Sequence, residues 1–577
     1  MRILAALLYP LRLLVYAIVW VVLRIRHLSV RQGTWVEIDL EGPLRERSEE
    51  KRFAKLLGLI LDREEQPEVV MPVLRRQLEA IRDFRKIAGV LVRVGRIDAT
   101  MNEALELNER LHELRTHGKR VVVFLGDSID NEQYVIAAAA EQVMAPPTSV
   151  VSPSGHASDA LFLKETLGRL GIQFEVAAHG RFKSAPERFT RTDRSEADRD
   201  QTSALLDALD ETMTSVLARG RATSLEKARQ LLASTPMLAP KAVAAGLIDE
   251  VVRDEDVPAR VGALLGDDKS APRLAQPGIV RPLPSLPPIL GRRRRAVAIV
   301  PVEGAIVDHG STLLDAYEGM AVADRIVAAL REALHDSRVG AVVLFVDSRG
   351  GSVTASDTIF SAVRRLDAEK PVIACFGSVA ASGGYYVGCG ARAIVASPLS
   401  ITGSIGVFSM MPSWPKLAER LGLHRELLTK FPNALPHDPW RERTAEEVTR
   451  DQAQVDELYD GFVSLVAERR SMPKESAEAA AQGRVWIAKH AREHNLVDGL
   501  GGMEEAIARA KEAAKGRFAR DPLWYLGGPR LPRPDPVTEA AKLLLPSRVL
   551  RDLLILQLLC PRKAVAWAPI DPSARRR

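Results

Sequence analysis

Ser382 stands in the run Gly377-Ser378-Val379-Ala380-Ala381-Ser382-Gly383-Gly384-Tyr385-Tyr386, directly after the apolar stretch Pro371–Phe376. A serine framed by alanines and glycines at a strand-to-helix junction has an exposed hydroxyl, and the next backbone N–H is free. Those are the requirements of a nucleophile with an oxyanion hole. A small-residue helix start has the same composition. A second small-residue turn, Ser348-Arg349-Gly350-Gly351-Ser352, follows Ala341–Asp347 and would let backbone N–H groups approach a bound atom. By itself it reads equally as a plain tight turn. A serine also needs a base. The 11 histidines are scattered, with His424 and His437 the nearest downstream. A lysine can serve if burial lowers its pKa from about 10.4 toward the working pH. Lys183, in Gly180-Arg181-Phe182-Lys183-Ser184-Ala185-Pro186, lies beside an aromatic residue after a strand-like run, although a surface lysine would fit the composition too.

The elements that must hold these residues alternate short Val/Ile/Leu runs with amphipathic stretches. VAIVPVEGAI is followed by Ala321–Leu334, AVVLFVD (Ala341–Asp347), Ala355–Leu366 and PVIACFG. Strand, helix, strand, helix predicts an α/β unit with a mostly parallel sheet, in which function collects beyond the carboxyl ends of strands.

The chain carries this unit twice. Gly89 meets Gly340, Lys119 meets Lys370, Tyr134 meets Tyr385, Pro147 meets Pro398, Gly155 meets Gly406 and Arg169 meets Arg420, all at an offset of 251. Gly246-Leu-Ile-Asp then pairs with Asn495-Leu-Val-Asp after a slip of two. The chemistry is not duplicated. Ser382, Gly383 and Gly384 fall on Asn131, Glu132 and Gln133, and Gly350-Gly351 on Ala99-Thr100. The first copy evidently folds without the special loops, so packing alone does not require them. Lys183 in turn falls on Ala434, or on Pro432 if the slip comes earlier, while Lys430 falls on His179. Each half lacks what the other has.

Composition narrows the rest. The chain has 577 residues, 46% hydrophobic and 27% charged, which suits several folded domains and excludes wholesale disorder. A net charge of +6, from 80 basic against 74 acidic residues, is too small to suggest nucleic acid as a partner. Three cysteines make no disulfide framework, and no Cys/His cluster offers a metal site. Residues 1–28 are apolar from Ile3 to Leu23 apart from Pro10 and Arg12, and no small-residue cleavage site follows. They read as an uncleaved transmembrane anchor. Arginines on both sides leave its orientation open. Residues 263–293 are proline-rich and read as a linker between domains at 33–262 and 294–515. In the tail, 516–577, the segment Glu539–Leu559 is leucine-rich and amphipathic, suited to a membrane surface, a partner subunit or its own domain.

GGSVTAS (Gly350–Ser356), AASGGYY (Ala380–Tyr386), ITGSIG (Ile401–Gly406) and FKSAPERF (Phe182–Phe189) together resemble the signature segments of the signal peptide peptidase A family in its long, tandem-domain form. The resemblance spans about residues 33–515 in the same order. It implies a Clp-protease/crotonase-like α/β fold twice per chain, without cofactor or metal. It further implies a membrane-bound serine protease with a Ser–Lys dyad, acting on released signal peptides and other hydrophobic peptides. By motif, Ser382 matches the nucleophile, Lys183 the general base, Ser404 the serine that orients the lysine, and Gly351 and Gly383 the oxyanion donors. A bowl-shaped homotetramer in the bacterial inner membrane, with the catalytic domains on the periplasmic side, is the implied assembly. Arg349 departs from the proline common at that place, and the tail after about 530 has no counterpart. Two other classes remain at this point: a crotonase-like acyl-CoA enzyme, which needs neither Ser382 nor Lys183, and a catalytically silent membrane scaffold.

Overall fold

The computed structural model describes residues 30–46, 68–264, 274–275, 295–309, 319–431, 434–435, 438–518 and 523–525. The expected anchor (1–28) and the leucine-rich tail segment (539–559) lie outside them. Among the described residues no helix is long and apolar enough to cross a membrane. The chain divides into a large unit and a smaller one, the latter comprising Glu41–Arg75 and Pro529–Arg577. In the smaller unit Leu44 and Arg45 pair in parallel with Val69 and Val70, and Arg75 donates through Nη1 and Nη2 to the two carboxylate oxygens of Glu46.

Both copies of the repeat form α/β sheets. The first sheet runs, in spatial order, Glu250–Val251, Gln142–Ala145, Arg120–Leu125, Ile87–Asp98, Thr34–Arg45, Leu274–Ala275. In the second, Ala296–Glu303, Val339–Ser348, Val372–Ala381, Ala393–Ala396 and Gly499–Leu500 follow one another in parallel. Long runs such as Ala341–Val346 are buried on both faces, as parallel sheets require. The duplication extends to side-chain bonds. Tyr134 Oη donates to Leu247 O at 2.8 Å and Tyr385 Oη to Leu496 O at 3.0 Å. Asp249 and Asp498 each accept from the backbone N–H of Val143 and Ile394, both at 2.7 Å.

The edges run past the boundaries expected from composition. Leu274–Ala275, inside the expected linker, pairs with Trp35–Val36, and Leu523–Trp524, inside the expected tail, pairs with Ala298–Ile299. Proline-rich sequence hid the first of these two-residue strands, because two paired residues leave no periodic signal. The helices Ala323–His335 and Val353–Glu369 cover the expected amphipathic stretches, each with ends shifted by one to three residues.

Two differences between the copies matter for the site. In the second copy the Val372–Ala381 strand continues unbroken past the sheet, pairing Val379, Ala380 and Ala381 with Ile401, Thr402 and Gly403. Its counterpart stops at Leu125 and resumes as the separate pair Ser128–Ile129. The copies are also stitched together. The strand Gln173–His179 of the first pairs antiparallel with Val407–Ser413 of the second, from Gln173 opposite Ser413 to His179 opposite Val407.

Candidate active site

The strand Val372–Ala381 delivers Ser382 into a backbone conformation of φ 53° and ψ −119°, immediately before the helix Gly383–Gly388. An L-residue is strained there, and a sharp strand-to-helix turn is what lifts a serine hydroxyl clear of its neighbours. The turn is held by Ser382 N donating to Gly403 O at 2.8 Å, and by Val379 N donating to the half-buried Asp347 carboxylate at 3.0 Å. Gly350 (φ 99°) lies against it: a Cβ on Gly350 would stand 2.7 Å from Gly383 N and 2.9 Å from Ser382 Cβ. Only glycine lets the two loops come this close. Gly351 N in turn lies 3.2 Å from where a Cβ on Gly383 would be. The N–H groups of Gly351 and Gly383 thus sit beside one serine, and neither has a hydrogen-bond partner among the described residues. Arg349, the departure in this turn, is exposed.

Lys183 arrives from the other copy. Beyond the inter-copy ladder the chain turns at Gly180, and Phe182 N donates to Gln482 O at 2.8 Å. The Lys183 side chain is 9% exposed, and its Nζ lies 3.1 Å from Ser382 Oγ, 3.0 Å from Ser404 O and 3.0 Å from Ser404 Oγ. Burial pushes its pKa down from 10.5 to about 8, since desolvation disfavours the ammonium. No carboxylate opposes that shift. Ser404 is fixed from the second copy, its N–H donating to Arg484 O at 2.7 Å with φ at 49°. The same loop touches Lys183 directly: a Cβ on Gly483 would stand 2.8 Å from Lys183 Cβ.

All five residues read from the sequence therefore meet in one place. Of the histidines considered, His424 is exposed and His437 lies outside the described residues. Ala434, one repeat-equivalent of Lys183, is exposed, and Pro432 is outside the described residues. At the equivalent place in the first copy, Asn131 Nδ2 donates to Gly155 O at 2.7 Å, and Asp130 with Gln133 closes a capping box on the helix Asn131–Ala137. Thr100 and Glu103 cap the helix Met101–Thr116 likewise. Capping uses up helix N–H donors, whereas the helix after Ser382 has no side-chain cap.

Other residues at the site carry no sequence signature. Gln201, buried on the helix Glu196–Gly220, donates through Nε2 to Phe182 O at 3.1 Å and Ser184 Oγ at 2.9 Å, and accepts from Val485 N at 3.3 Å. It clamps the lysine loop to the strand Val485–Ile487, which backs Ile401–Gly403. Arg484 lies between the rings of Phe182 (4.9 Å) and Trp486 (4.4 Å), bridging the same halves. No motif could have shown them, because each acts only through neighbours remote in sequence.

The model of peptidase family S49 matches this chain twice, at residues 113–266 and 364–517, together more than half its length. The chain belongs to peptidase family S49. The Clp protease model matches residues 304–398, in line with the fold of the second copy. Among curated S49-like relatives, "Serine protease SPPA, chloroplastic" of Arabidopsis thaliana is 29% identical over 497 residues, covering 84% of this chain and 70% of that protein. "Protease 4" of Haemophilus influenzae is 29% identical over 454 residues, covering 76% and 72%. As an S49 peptidase of the SppA type, the chain is a serine endopeptidase with two tandem S49 domains, and its substrates are peptides.

Proposed function

We propose that this S49 peptidase uses Ser382 as nucleophile and Lys183 as general base to hydrolyse signal peptides and other hydrophobic peptides at a membrane. The observation that carries the reading is the 3.1 Å approach of Lys183 Nζ to Ser382 Oγ in a buried setting that holds the lysine pKa near 8. A neutral amine has two N–H groups and one lone pair. The two N–H groups donate to Ser404 O and Ser404 Oγ, both at 3.0 Å, which leaves the lone pair for the Ser382 hydroxyl proton.

As Ser382 Oγ bonds to the scissile carbonyl carbon, its proton passes to Nζ. The carbonyl oxygen takes up negative charge between the N–H groups of Gly351 and Gly383. The Lys183 ammonium then protonates the leaving amine, the C–N bond breaks, and an ester to Ser382 remains. Water, losing a proton to the amine again, attacks that ester and releases the acid and the free serine.

The membrane part of the reading rests on the apolar run within residues 1–28. The resemblance to the signal peptide peptidase A family supplies the rest of it: a single pass through the bacterial inner membrane, catalytic domains in the periplasm, and several chains, four in the tandem form, around a shared space. Domain limits near 33–262 and 294–515, extended by the edge strands at 274–275 and 523–524, complete it. The test is labelling by a fluorophosphonate probe. The wild type is expected to label at Ser382, and Ser382→Ala and Lys183→Ala are expected not to. Labelling elsewhere would overturn the assignment.

A further inference from the structure

Arg349 lies in the catalytic turns, and the proposed mechanism gives it no task. It stands two residues before Gly351, so its Cα is at most about 7 Å from that of the oxyanion donor. Gly350 between them is buried, whereas Arg349 and Gly351 are both exposed. The arginine makes no hydrogen bond or ion pair with any described residue. Carboxylates of the neighbouring segments have other partners. Asp347 accepts from Val379 N at 3.0 Å, and Arg349 is near enough to act on it without forming an ion pair. Asp308 accepts from Ser352 Oγ at 2.5 Å and from Thr354 Oγ1 at 2.6 Å. Asp357 accepts from Tyr386 Oη at 2.9 Å. A guanidinium beside the oxyanion donor is thus left without an anion from this chain.

We infer that Arg349 binds a carboxylate of the peptide substrate, borne within two or three residues of the bond that Ser382 attacks. The chemistry and the reach both suit it. A guanidinium offers a planar fork of N–H donors that a carboxylate meets with two bonds, and it keeps its charge at any working pH. An extended peptide advances about 3.3 Å per residue. A group two or three residues from the carbonyl at Gly351 therefore falls within the span of a long side chain rooted two residues away. Proline at this place would offer neither charge nor N–H.

Such a carboxylate has two sources, an acidic side chain or the substrate's own C-terminus. A hydrophobic peptide without acidic residues still carries the second once another cleavage has released it, whereas an internal stretch of a longer protein does not. Reading that group favours bonds near the C-terminus of a free peptide over bonds inside a chain. The inference rests on the proposed active site, since it takes the Gly351 N–H to mark the scissile carbonyl.

The test compares the full-length wild type with Arg349→Gln and Arg349→Lys on internally quenched hydrophobic peptides of one parent sequence. One set ends one to four residues past the scissile bond, each as the free acid and as the amide. A second set is amidated and carries Glu or Gln at each of three positions on either side of that bond. In the wild type kcat/KM should favour the carboxylate in at least one pair by about five- to tenfold, chiefly through KM. The ratio should shrink as salt rises from about 0.05 to 0.5 M. It should fall to near one in Arg349→Gln and be kept in part by Arg349→Lys. Both variants are first labelled at Ser382 by the fluorophosphonate probe, so that a changed ratio is not a damaged site. Discrimination between acid and amide alone identifies the terminal carboxylate, and discrimination between Glu and Gln a side chain. A wild type that labels at Ser382 yet separates no pair would overturn this inference alone, and so would a ratio that survives Arg349→Gln. A wild type that neither labels nor cleaves would overturn the functional reading beneath it.

Discussion

Ser404 holds the Lys183 amine twice, with its carbonyl oxygen and its hydroxyl each 3.0 Å from Nζ. Both contacts accept from nitrogen, and an ammonium donates more strongly than an amine. Removing the hydroxyl therefore disfavours the charged form and frees the amine to rotate from Ser382. Ser404→Ala should move the alkaline-rising limb of kcat/KM below that of the wild type, which is expected where Lys183 titrates, at about 8. It should also lower the plateau by roughly ten- to a hundredfold, the scale of a proton-transfer contribution. A full pH–rate series on a peptide ester measures both. An unmoved limb with an unchanged plateau would remove Ser404 from the site.

Burial of Lys183 costs stability, and the sign follows from its lowered pKa. Between pH 8 and 10.5 the unfolded chain holds more protons on this residue than the folded one, so stability gains with rising pH across that window. Below pH 8 both states carry the charge, and the full penalty of burying it applies. Lys183→Met should therefore stabilise the protein below pH 8, with about 3 kcal/mol as the ceiling for a shift of this size. The difference should shrink toward pH 10.5. Urea unfolding at pH 6.5 and pH 10 compares the two; a gap independent of pH would mean that the lysine is not held in a desolvated site.

On the proposed mechanism Gln201 acts as a positioning residue, since it touches the lysine loop and the strand backing Ser404 but not Ser382, Lys183 Nζ or Ser404. Gln201→Ala should admit water beside Lys183 and move the pH–rate limb upward, opposite to Ser404→Ala. The kcat should fall about tenfold with KM nearly constant, because binding surfaces are untouched. Loss of stability with an unmoved limb would reduce Gln201 to an ordinary structural role.

The parts of this site that sequence made legible are those where the two copies differ. Ser382 against Asn131 and Gly350-Gly351 against Ala99-Thr100 stand out because the surrounding sheet pattern is shared, and the structure gives the physical sense of the exchange. The first copy spends its helix N-termini on the Thr100–Glu103 and Asp130–Gln133 capping boxes. The second leaves the N–H of Gly383 open. Gln201, Arg484 and Asp347 were not legible, since a lone polar residue on a helix or strand says nothing of the loop it will meet. The edge strands at Leu274 and Leu523 escaped for a related reason. Two residues gain their pairing from Trp35–Val36 and Ala298–Ile299, which only the tertiary fold brings alongside.

The proposed dyad spans two copies of the repeat but lies in one chain, and this distinguishes it from a site shared between subunits. Lys183 and Ser382 are joined through the ladder of Gln173–His179 with Val407–Ser413, and Gln201 and Arg484 brace the same junction. A chain carrying Lys183→Ala still has its serine and a chain carrying Ser382→Ala its lysine. Each pairs with an inactive partner within its own fold. Co-expressing the two variants should thus yield assemblies with no more ester hydrolysis than either alone, a loss of a thousandfold or more relative to wild type. Recovery of about a quarter of wild-type activity on co-expression would instead show Lys183 of one chain serving Ser382 of another. The intrachain ladder would then have to be exchanged between subunits. Measuring turnover against titrated, labelled serine separates a few fully active sites from many weak ones.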